Sequence, residues 1–465
     1  MDSTLACLAA WMPRQRWYAA KGRNPTLRFV ASWDFPIDSG APASGAPAAG
    51  IRIRTYLVAD EGSLPPVTYQ VPVVARATSS ADPAAAHVIG NPEPGTTLID
   101  GPFDPAYAAA LLRMTSRGGE GRGSRTLARG VPVPSAPPVA QEVVAAVIAG
   151  EQSNTSIIYR PNDGMSVPVI CKVFRQVHPG LNPDIELQTA LAGAGSSRVP
   201  RTIGSVEGEW PDPVDGRASM KGSLAFAQEF FPDVEDAWRV ALQAAADGEG
   251  FSDRAHALGV ATAEVHVALS GLFPIHDCTA EDRDGIRDTW RRRLTTAIAE
   301  VPELATSEEA IESVYLRAAE DAWPALQRIH GDYHLGQVIL VPGRGWVLLD
   351  FEGEPMRPMI ERVRPDLALR DVAGMLRSFD YVAGSIRLDR PDRSRESVQE
   401  WARAARRSFL AGYAEASGAD LGATRRLLDA LELDKAVYEA IYESRNRPTW
   451  ISIPLAAITR LIGPG

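Results

Sequence analysis

The stretch HGDYHLGQVILVPGRGWVLLDFEGEP, residues 330–355, decides the fold of this chain. It contains His-Gly-Asp, a glutamine five residues after that aspartate, two short apolar runs with a Gly-containing turn between them, and an aspartate after the second run. The apolar runs predict a β-hairpin that holds Asp350 rigidly at its carboxyl end. A glycine turn before an ordinary hairpin would explain His-Gly-Asp alone, but not the whole set of polar residues at these offsets.

These polar residues suit phosphoryl transfer. The reaction needs a carboxylate that accepts the proton of the acceptor hydroxyl, and oxygen ligands that hold Mg²⁺ against the phosphates of the donor. We predict Asp332 as the catalytic base, and Gln337, Asp350 and Glu352 as metal ligands. His334, close to Asp332 in sequence, is expected to structure the loop rather than to act as a base.

The sequence as a whole predicts a chain of three parts. Its 465 residues are 45% hydrophobic and 23% charged, which is ordinary for a folded protein of two or three domains. Strand patterns dominate residues 1–125, short strands and one helix pattern occupy 126–231, and residues 232–465 are mostly helical. This α+β order is the layout of a two-lobed phosphotransferase, although a layout alone does not establish function.

Alternating or β-branched residues predict strands in several segments, namely 27–35, 51–59, 67–76, three within 142–176, and 223–231. The Pro/Gly/Ala/Ser stretch at 38–50 predicts a loop, and SRGGEGRGSRTLARG at 116–130 predicts a linker or mobile loop. A helix is predicted over 182–192, with Asn182 as its N-cap and Pro183 in its first turn.

Lys172 lies in VICKVFR, an apolar strand pattern in which an unpaired charge is unfavourable. A kinase needs such a lysine for the α- and β-phosphates of its nucleotide, with a glutamate on a nearby helix that orients it. Glu186, on the predicted helix, is the expected partner. The alternative is a lysine on an edge strand that points into solvent.

Two further segments are predicted to bind the nucleotide. GEQSNTSI at 150–157 has a single glycine, but Ser153, Asn154 and Thr155 could offer N–H groups and hydroxyls to phosphate oxygens; a polar hairpin turn would look the same. AQEFF at 227–231 lies where the strand linking the two lobes would pass. We therefore predict that the backbone from Gln228 to Phe230 binds the adenine edge.

Near the C-terminus, Arg445, Asn446 and Trp450 form a cluster whose residue types suit a sugar, through ring stacking and hydrogen bonds to hydroxyls. A helix end followed by a proline explains the same residues equally well. His266, among apolar helical neighbours, is predicted to be a packed core or bracing histidine. The helix pattern at 370–381 is interpreted as a salt-bridged helix face.

The composition of the chain argues against several classes of binding partner. The formal net charge of −10 and the pI near 5.4 argue against a nucleic-acid-binding surface, and no stretch approaches the length of a membrane-spanning helix. The spacing of the three cysteines fits no zinc motif and their odd number makes a poor disulfide framework, and the N-terminus does not resemble a signal peptide. We therefore expect a cytoplasmic protein; its oligomeric state cannot be inferred from these features.

The motifs together resemble those of the actinobacterial maltokinase-like kinases, relatives of the aminoglycoside phosphotransferases. The resemblance runs through nearly the whole chain and rests on these segments: RQRWYAAKGR (14–23), GEQSNTS, NPDIEL, HGDYHLGQV, DFEGEP, LRDVAGMLRSFDY and RNRPTWISIPLAAI. It implies a two-lobed eukaryotic-protein-kinase-like fold with a β-rich N-terminal cap domain and a large helical C-terminal lobe. It also implies ATP and Mg²⁺, with Asp332 as base, Gln337 and Asp350 on the metal, and Lys172 on the phosphates.

The acceptor implied by the resemblance is a small sugar. Tyr333, the AAKGR segment at 19–23 and the residues around Lys172 depart from the expected maltokinase pattern and favour a divergent acceptor. The leading expectation is D-glucosamine, giving glucosamine 6-phosphate, and the alternative is maltose, giving maltose 1-phosphate. An aminoglycoside phosphotransferase and a non-catalytic pseudokinase are further alternatives, but a pseudokinase would be expected to lack Lys172, Asp332 or Asp350.

Overall fold

The computed structural model describes most of the chain, namely residues 2–35, 51–80, 85–140, 142–148, 153–354, 357–390 and 394–463. The loop predicted at 38–50 lies outside these residues. The chain divides into two compact units, the first formed by Met1–Thr189 with Pro200–Pro232 and the second by Ala190–Val199 with Asp233–Gly465.

The first unit begins with helix α1 (Asp2–Trp11) and an antiparallel sheet of five strands in the spatial order β1-β2-β3-β5-β4. The strands are β1 (Leu27–Asp34), β2 (Arg52–Asp60), β3 (Val67–Ala77), β4 (Val88–Glu93) and β5 (Thr96–Asp100). Trp11, Trp17, Tyr18 and Tyr69 pack in one buried cluster against this sheet, and the Tyr18 hydroxyl donates to the Asp60 carboxylate at 2.6 Å. Burial of these aromatic rings stabilises this end of the unit.

A second antiparallel sheet completes the unit, with seven strands in the order β6-β7-β11-β12-β10-β9-β8. Its strands are β6 (Gly119–Gly123), β7 (Thr126–Pro132), β8 (Val143–Val147), β9 (Asn154–Pro161), β10 (Val169–Phe174), β11 (Thr202–Pro211) and β12 (Ser219–Glu229). Helices α2 (Pro105–Arg117) and α3 (Pro183–Gly193) accompany it. The Asn182 side chain accepts from the Asp184 N–H at 2.8 Å, so the predicted cap of α3 is confirmed.

The predicted linker at 116–130 is wrong. The segment forms the end of α2 and the paired strands β6 and β7, so the domain boundary predicted after residue 125 falls in the turn of a hairpin. Its glycines permit close backbone contact: a Cβ on Gly123 would lie 1.9 Å from the Ser32 carbonyl oxygen. The glycines of this hairpin allow neighbouring backbone to approach closely, and they do not mark a flexible turn. A strand of this composition therefore resembles a loop in sequence.

The second unit is mainly helical. Its helices are α4 (Ala237–Asp247), α5 (Ser252–Leu272), α6 (Ala280–Glu300), α7 (Glu308–Ala318), α8 (Met359–Arg362), α9 (Leu369–Asp389), α10 (Arg395–Ser417), α11 (Arg425–Asn446) and α12 (Ser452–Ile462). The hairpin predicted within 330–355 is present as β13 (Val338–Val341) and β14 (Gly345–Leu348). Helix α9 is the central element, because most of its side chains, including Asp371 and Arg377, are buried.

The predicted α+β class is confirmed, with strands concentrated in the first unit and helices in the second. In the part of the chain that the structure describes, every helix is either too short or too polar to cross a membrane.

Candidate active site

The loop that carries Asp332 is anchored by the buried carboxylate of a neighbouring helix. Asp371, in the first turn of α9, accepts the N–H of His330 at 2.8 Å and the N–H of Gly331 at 2.9 Å. His266 of α5 hydrogen-bonds the same carboxylate at 3.0 Å and the Tyr413 hydroxyl at 3.0 Å. His266 is therefore a bracing core histidine, as predicted.

The lowered pKa of Asp371 indicates that its surroundings favour the ionised carboxylate. Burial alone would raise its pKa, but the hydrogen bond from His266, the nearby histidine rings and the Gly331 N–H outweigh burial and lower it. The sequence-based interpretation of 370–381 as a salt-bridged helix face missed this role. Its only sequence signal was an acidic residue in the first turn of an apolar helix.

His330 joins the Asp332 loop to the segment after β14. Its Nε2–H donates to the Leu349 carbonyl at 2.8 Å, while its ring lies 4.6 Å from the ring of Phe351 between centroids. The two segments also touch through glycines: Gly331 has a φ of +86°, and a Cβ added there would lie 3.2 Å from the Cα of Gly353. His-Gly-Asp and Asp-Phe-Glu-Gly therefore form one packed unit rather than two independent turns.

Three oxygen-bearing side chains meet beside this contact. Gln337 Nε2 donates to Asp350 Oδ2 at 2.9 Å, and carboxylate oxygens of Asp350 and Glu352 lie within 4.8 Å of each other. Asp350 has a φ of +65°, a left-handed conformation that is unfavourable for aspartate and recurs at functional sites. Carboxylate and amide oxygens are the ligands that Mg²⁺ prefers, so these residues fit the predicted metal site.

Asp332 itself contacts a residue that the sequence analysis missed. Lys435 of α11 places its Nζ 3.4 Å from Asp332 Oδ1 and 2.7 Å from Glu354 Oε1. Burial alone would lower the pKa of Lys435, but the carboxylates of Glu354 and Asp332 outweigh burial and raise it, so the ammonium stays charged. The sequence has four lysines, and this scarcity was the signal that could have drawn attention to Lys435.

The neighbouring histidine is neutral. Burial lowers the pKa of His334, and its Nδ1 accepts the N–H of Gly336 at 3.0 Å. The ring therefore shapes the turn into β13, in line with the prediction that it does not act as the base.

On the nucleotide side predicted in the first unit, Lys172 is 9% exposed and pairs with Asp184, with 2.8 Å between Nζ and Oδ2. The predicted partner was Glu186, two residues further along α3. Asp184 is fully buried and also hydrogen-bonds the Gln188 side chain one turn later, whereas Glu186 lies on a partly exposed face. Side chains two residues apart on a helix point about 200° away from each other. The rotation of α3 about its axis therefore decides that Asp184, and not Glu186, is buried beside Lys172.

The predicted phosphate turn is only partly supported. Ser153 is exposed and Asn154 half-buried at the start of β9, whereas Thr155 is buried and its hydroxyl accepts from Arg175 Nε at 2.8 Å. Arg175 also pairs with Asp100 at 2.7 Å, with both side chains almost fully buried. Since alternate strand residues point to opposite faces, the Thr155 hydroxyl faces the interior, and the predicted contact of this hydroxyl with phosphate is wrong.

The segment predicted to bind adenine lies at the end of β12. Gln228 is buried, and the N–H of Phe230 donates to the Pro168 carbonyl at 2.8 Å. That donor is therefore already used within the first unit, so the prediction for Phe230 is reduced to its carbonyl oxygen. The Glu229 N–H likewise donates to the Arg201 carbonyl at 2.8 Å.

The predicted sugar cluster is not brought to Asp332. Arg445 hydrogen-bonds the Glu300 carboxylate at 2.6 Å, and the exposed Asn446 side chain donates to the Tyr442 carbonyl at 2.9 Å. Arg445 follows Lys435 by ten residues of α11, which is about 15 Å along the helix axis. Trp450 stacks on the Tyr381 ring with 6.3 Å between centroids and belongs to the same distant end.

Comparisons with known proteins agree with these motifs. The profile of the phosphotransferase enzyme family matches residues 144–428, and that of the maltokinase N-terminal cap domain matches residues 11–104. A glucosamine kinase from Streptacidiphilus jiangxiensis is 31% identical over 343 residues, covering 68% of this chain and 75% of that protein. A glucosamine kinase from Mycolicibacterium smegmatis is 27% identical over 337 residues, covering 68% of this chain and 79% of that protein.

A solved structure shares the fold. The glucosamine kinase in complex with glucosamine, ADP and inorganic phosphate superposes with a TM-score of 0.67 at 24% identity, covering 98% of this chain and 99% of that one. The family resemblance drawn from the motifs and the two-lobed protein-kinase-like fold are thereby confirmed. This chain is a kinase of the phosphotransferase enzyme family, in the branch that carries a maltokinase-type N-terminal cap.

Proposed function

We propose that this chain transfers the γ-phosphate of ATP to the 6-hydroxyl of D-glucosamine and releases glucosamine 6-phosphate and ADP. The observation that carries the proposal is the fixed position of Asp332, on a loop anchored by Asp371 and packed against the segment of Asp350. The identity with glucosamine kinases supports the choice of acceptor.

In this proposal, Asp332 accepts the proton of the 6-hydroxyl as the hydroxyl oxygen attacks the γ-phosphorus and the bond from that phosphorus to the ADP oxygen breaks. Gln337, Asp350 and Glu352 would hold Mg²⁺, which supplies neutralisation of charge on the phosphate oxygens. Lys172, oriented by Asp184, contacts the α- and β-phosphates.

Several supporting roles remain proposals. Ser153 and Asn154 stay candidates for phosphate contact, because neither side chain faces the interior as Thr155 does. Adenine binding is proposed for the backbone from Gln228 to Phe230, through groups other than the Glu229 and Phe230 N–H groups. We also propose the division into a cap domain, a nucleotide-side lobe and a helical lobe, with the cap ending before β6, where the seven-stranded sheet begins.

The test is a panel of glucosamine, glucose, maltose and an aminoglycoside, each with ATP and Mg²⁺, in an ADP-release assay. Glucosamine should have the highest kcat/KM, and ³¹P NMR should identify the 6-phosphate. Asp332→Asn should lower kcat by about 10²- to 10⁴-fold while ATP still binds, which is the usual contribution of a general base. No transfer to any acceptor by folded protein would refute the proposal, and full turnover by the variant would exclude Asp332 as the base.

Maltose is the second candidate acceptor, because the maltokinase cap profile matches residues 11–104. The product would be maltose 1-phosphate. A kcat/KM for maltose above that for glucosamine would favour this alternative.

A further inference from the structure

Lys435 occupies a position that neither the family motifs nor the sequence analysis assigns. Its ammonium bridges two carboxylates, Asp332 at 3.4 Å and Glu354 at 2.7 Å. Lys435 follows Asp332 by 103 residues and comes from the middle of α11, so the contact exists only in the folded second unit.

The environment keeps the ammonium in place. Glu354 is 4% exposed and also pairs with Arg357 at 3.1 Å, so it is fixed from two sides. The Lys435 Nζ lies 5.1 Å from the centroid of the Tyr438 ring one turn later on α11, a cation–π contact that adds to the ion pairs. The position of this charge is therefore set by several partners rather than by one flexible side chain.

In the part of the chain that the structure describes, Asp332 and Lys435 each keep one unused hydrogen-bonding position. Among the residues that the structure describes, only Oδ1 of Asp332 has a side-chain partner, and the third N–H of the Lys435 ammonium has no hydrogen-bond acceptor. An acceptor hydroxyl that donates to Asp332 Oδ2 can thus lie next to a fixed positive charge. The charge of Lys435 offsets part of the attraction that Asp332 and Glu354 would otherwise exert on a second cation at the same place.

We propose that Lys435 positions the Asp332 carboxylate and, by its charge, disfavours binding of an amino-sugar acceptor with its ammonium next to the reacting hydroxyl. In glucosamine the ammonium is on C2, beside the hydroxyls of C1 and C3, whereas the 6-hydroxyl is on the exocyclic carbon across the ring. Lys435 therefore disfavours reaction at the hydroxyls of C1 and C3 and is compatible with reaction at the 6-hydroxyl. This inference rests on the proposed function, and it adds a residue that selects the orientation of the acceptor.

The first measurement compares kcat and KM for glucosamine in the unchanged protein, Lys435→Met and Lys435→Gln. Both variants should lower kcat by about 10- to 100-fold, since a base displaced by about 1 Å loses reaction rate on that scale. The KM for ATP should change less than twofold. Lys221→Met is the matched control, because the Lys221 side chain is 79% exposed and its ion pair with Glu209 is long, at 3.7 Å.

The second measurement separates positioning from a structural role. 6-Amino-6-deoxyglucose carries its ammonium where the reacting hydroxyl would lie, so the unchanged protein should bind it poorly. Loss of the Lys435 charge exposes Asp332 and Glu354 to the ligand ammonium. Its competitive inhibition constant should therefore fall at least tenfold in both variants, a gain that misfolding cannot produce.

Near-wild-type kcat and an unchanged inhibition constant in folded variants would overturn the proposal. So would a lower kcat without tighter binding of the 6-amino sugar, because that result assigns Lys435 a purely structural role. Lys435→Gln keeps a polar side chain and provides the test if Lys435→Met does not fold. Absence of glucosamine transfer by the unchanged protein would instead refute the proposed function, so the two failures are distinguishable.

Discussion

Asp371→Asn tests whether the buried carboxylate of α9 holds the catalytic loop. The substitution conserves shape but removes the charge that accepts from the His330 and Gly331 N–H groups and from His266. An asparagine has one acceptor oxygen, so at least one of these donors stays buried without a partner. Hydrogen bonds to a charged group contribute about 1.5–3 kcal/mol each, and a buried pair that loses one member is destabilised by about 3–5 kcal/mol.

We therefore expect the free energy of unfolding to fall by about 3–5 kcal/mol, measured by urea denaturation followed by circular dichroism. A loop displaced by about 1 Å should lower kcat about 100-fold in the fraction that remains folded. Asp389→Asn is the matched control, because Asp389 is exposed at the C-terminal end of the same helix and should tolerate the change. An unfolding free energy within 1 kcal/mol of the unchanged protein, together with normal kcat, would refute the reasoning.

Three further outcomes are expected. Gly331→Ala should lower stability by about 1–2 kcal/mol, the cost of a left-handed alanine, and should also lower kcat through its contact with the segment of Gly353. Gly343→Ala, at a φ of +72° with open space around it, should lose similar stability while kcat stays normal; equal kcat in both variants would contradict the close-contact argument. Thr155→Val should leave the KM for ATP unchanged and lower the unfolding free energy by about 1–3 kcal/mol, because Arg175 Nε loses a buried acceptor; a large rise in KM would return Thr155 to the phosphate site. For Glu354, burial opposes ionisation, but Lys435 and Arg357 outweigh burial and hold its pKa below the usual value of about 4.3, so its stabilisation is complete above that pH and is lost as the pH falls through the lowered pKa. Urea denaturation between pH 7 and pH 3 should show a shallower loss of stability in Glu354→Gln, and identical pH profiles would count against the pairing.

Part of the site is local in sequence, and that part was predictable. His330, Gly331, Asp332, Gln337 and Asp350 lie within 21 residues, and one turn and one hairpin bring them close to one another. The cap of α3 was predictable for the same reason, because Asn182 bonds a backbone group two residues away. Such features depend on chain geometry over a few residues, which residue type and spacing specify directly.

Other partners depend on how elements pack. Lys172 pairs with Asp184 rather than Glu186 because the rotation of α3 against β10 decides which carboxylate is buried. Thr155 faces Arg175 because of the register in which β9 pairs with β10. A shift of that register by one residue would point the Thr155 side chain to the opposite face of the sheet.

The sequence by itself therefore determined the reaction class, and it placed the proposed base, Asp332, within one contiguous motif. Only the tertiary structure decided which charged groups surround that base: Asp371 beneath the loop and Lys435 beside it, which come from positions 39 and 103 residues away from Asp332. Contacts at such separations carry no local pattern, because they form only when helices α9 and α11 bury their polar residues against the same loop. The sugar cluster predicted at Arg445 failed for this reason, since residue types that suit a sugar do not determine where the helix places them.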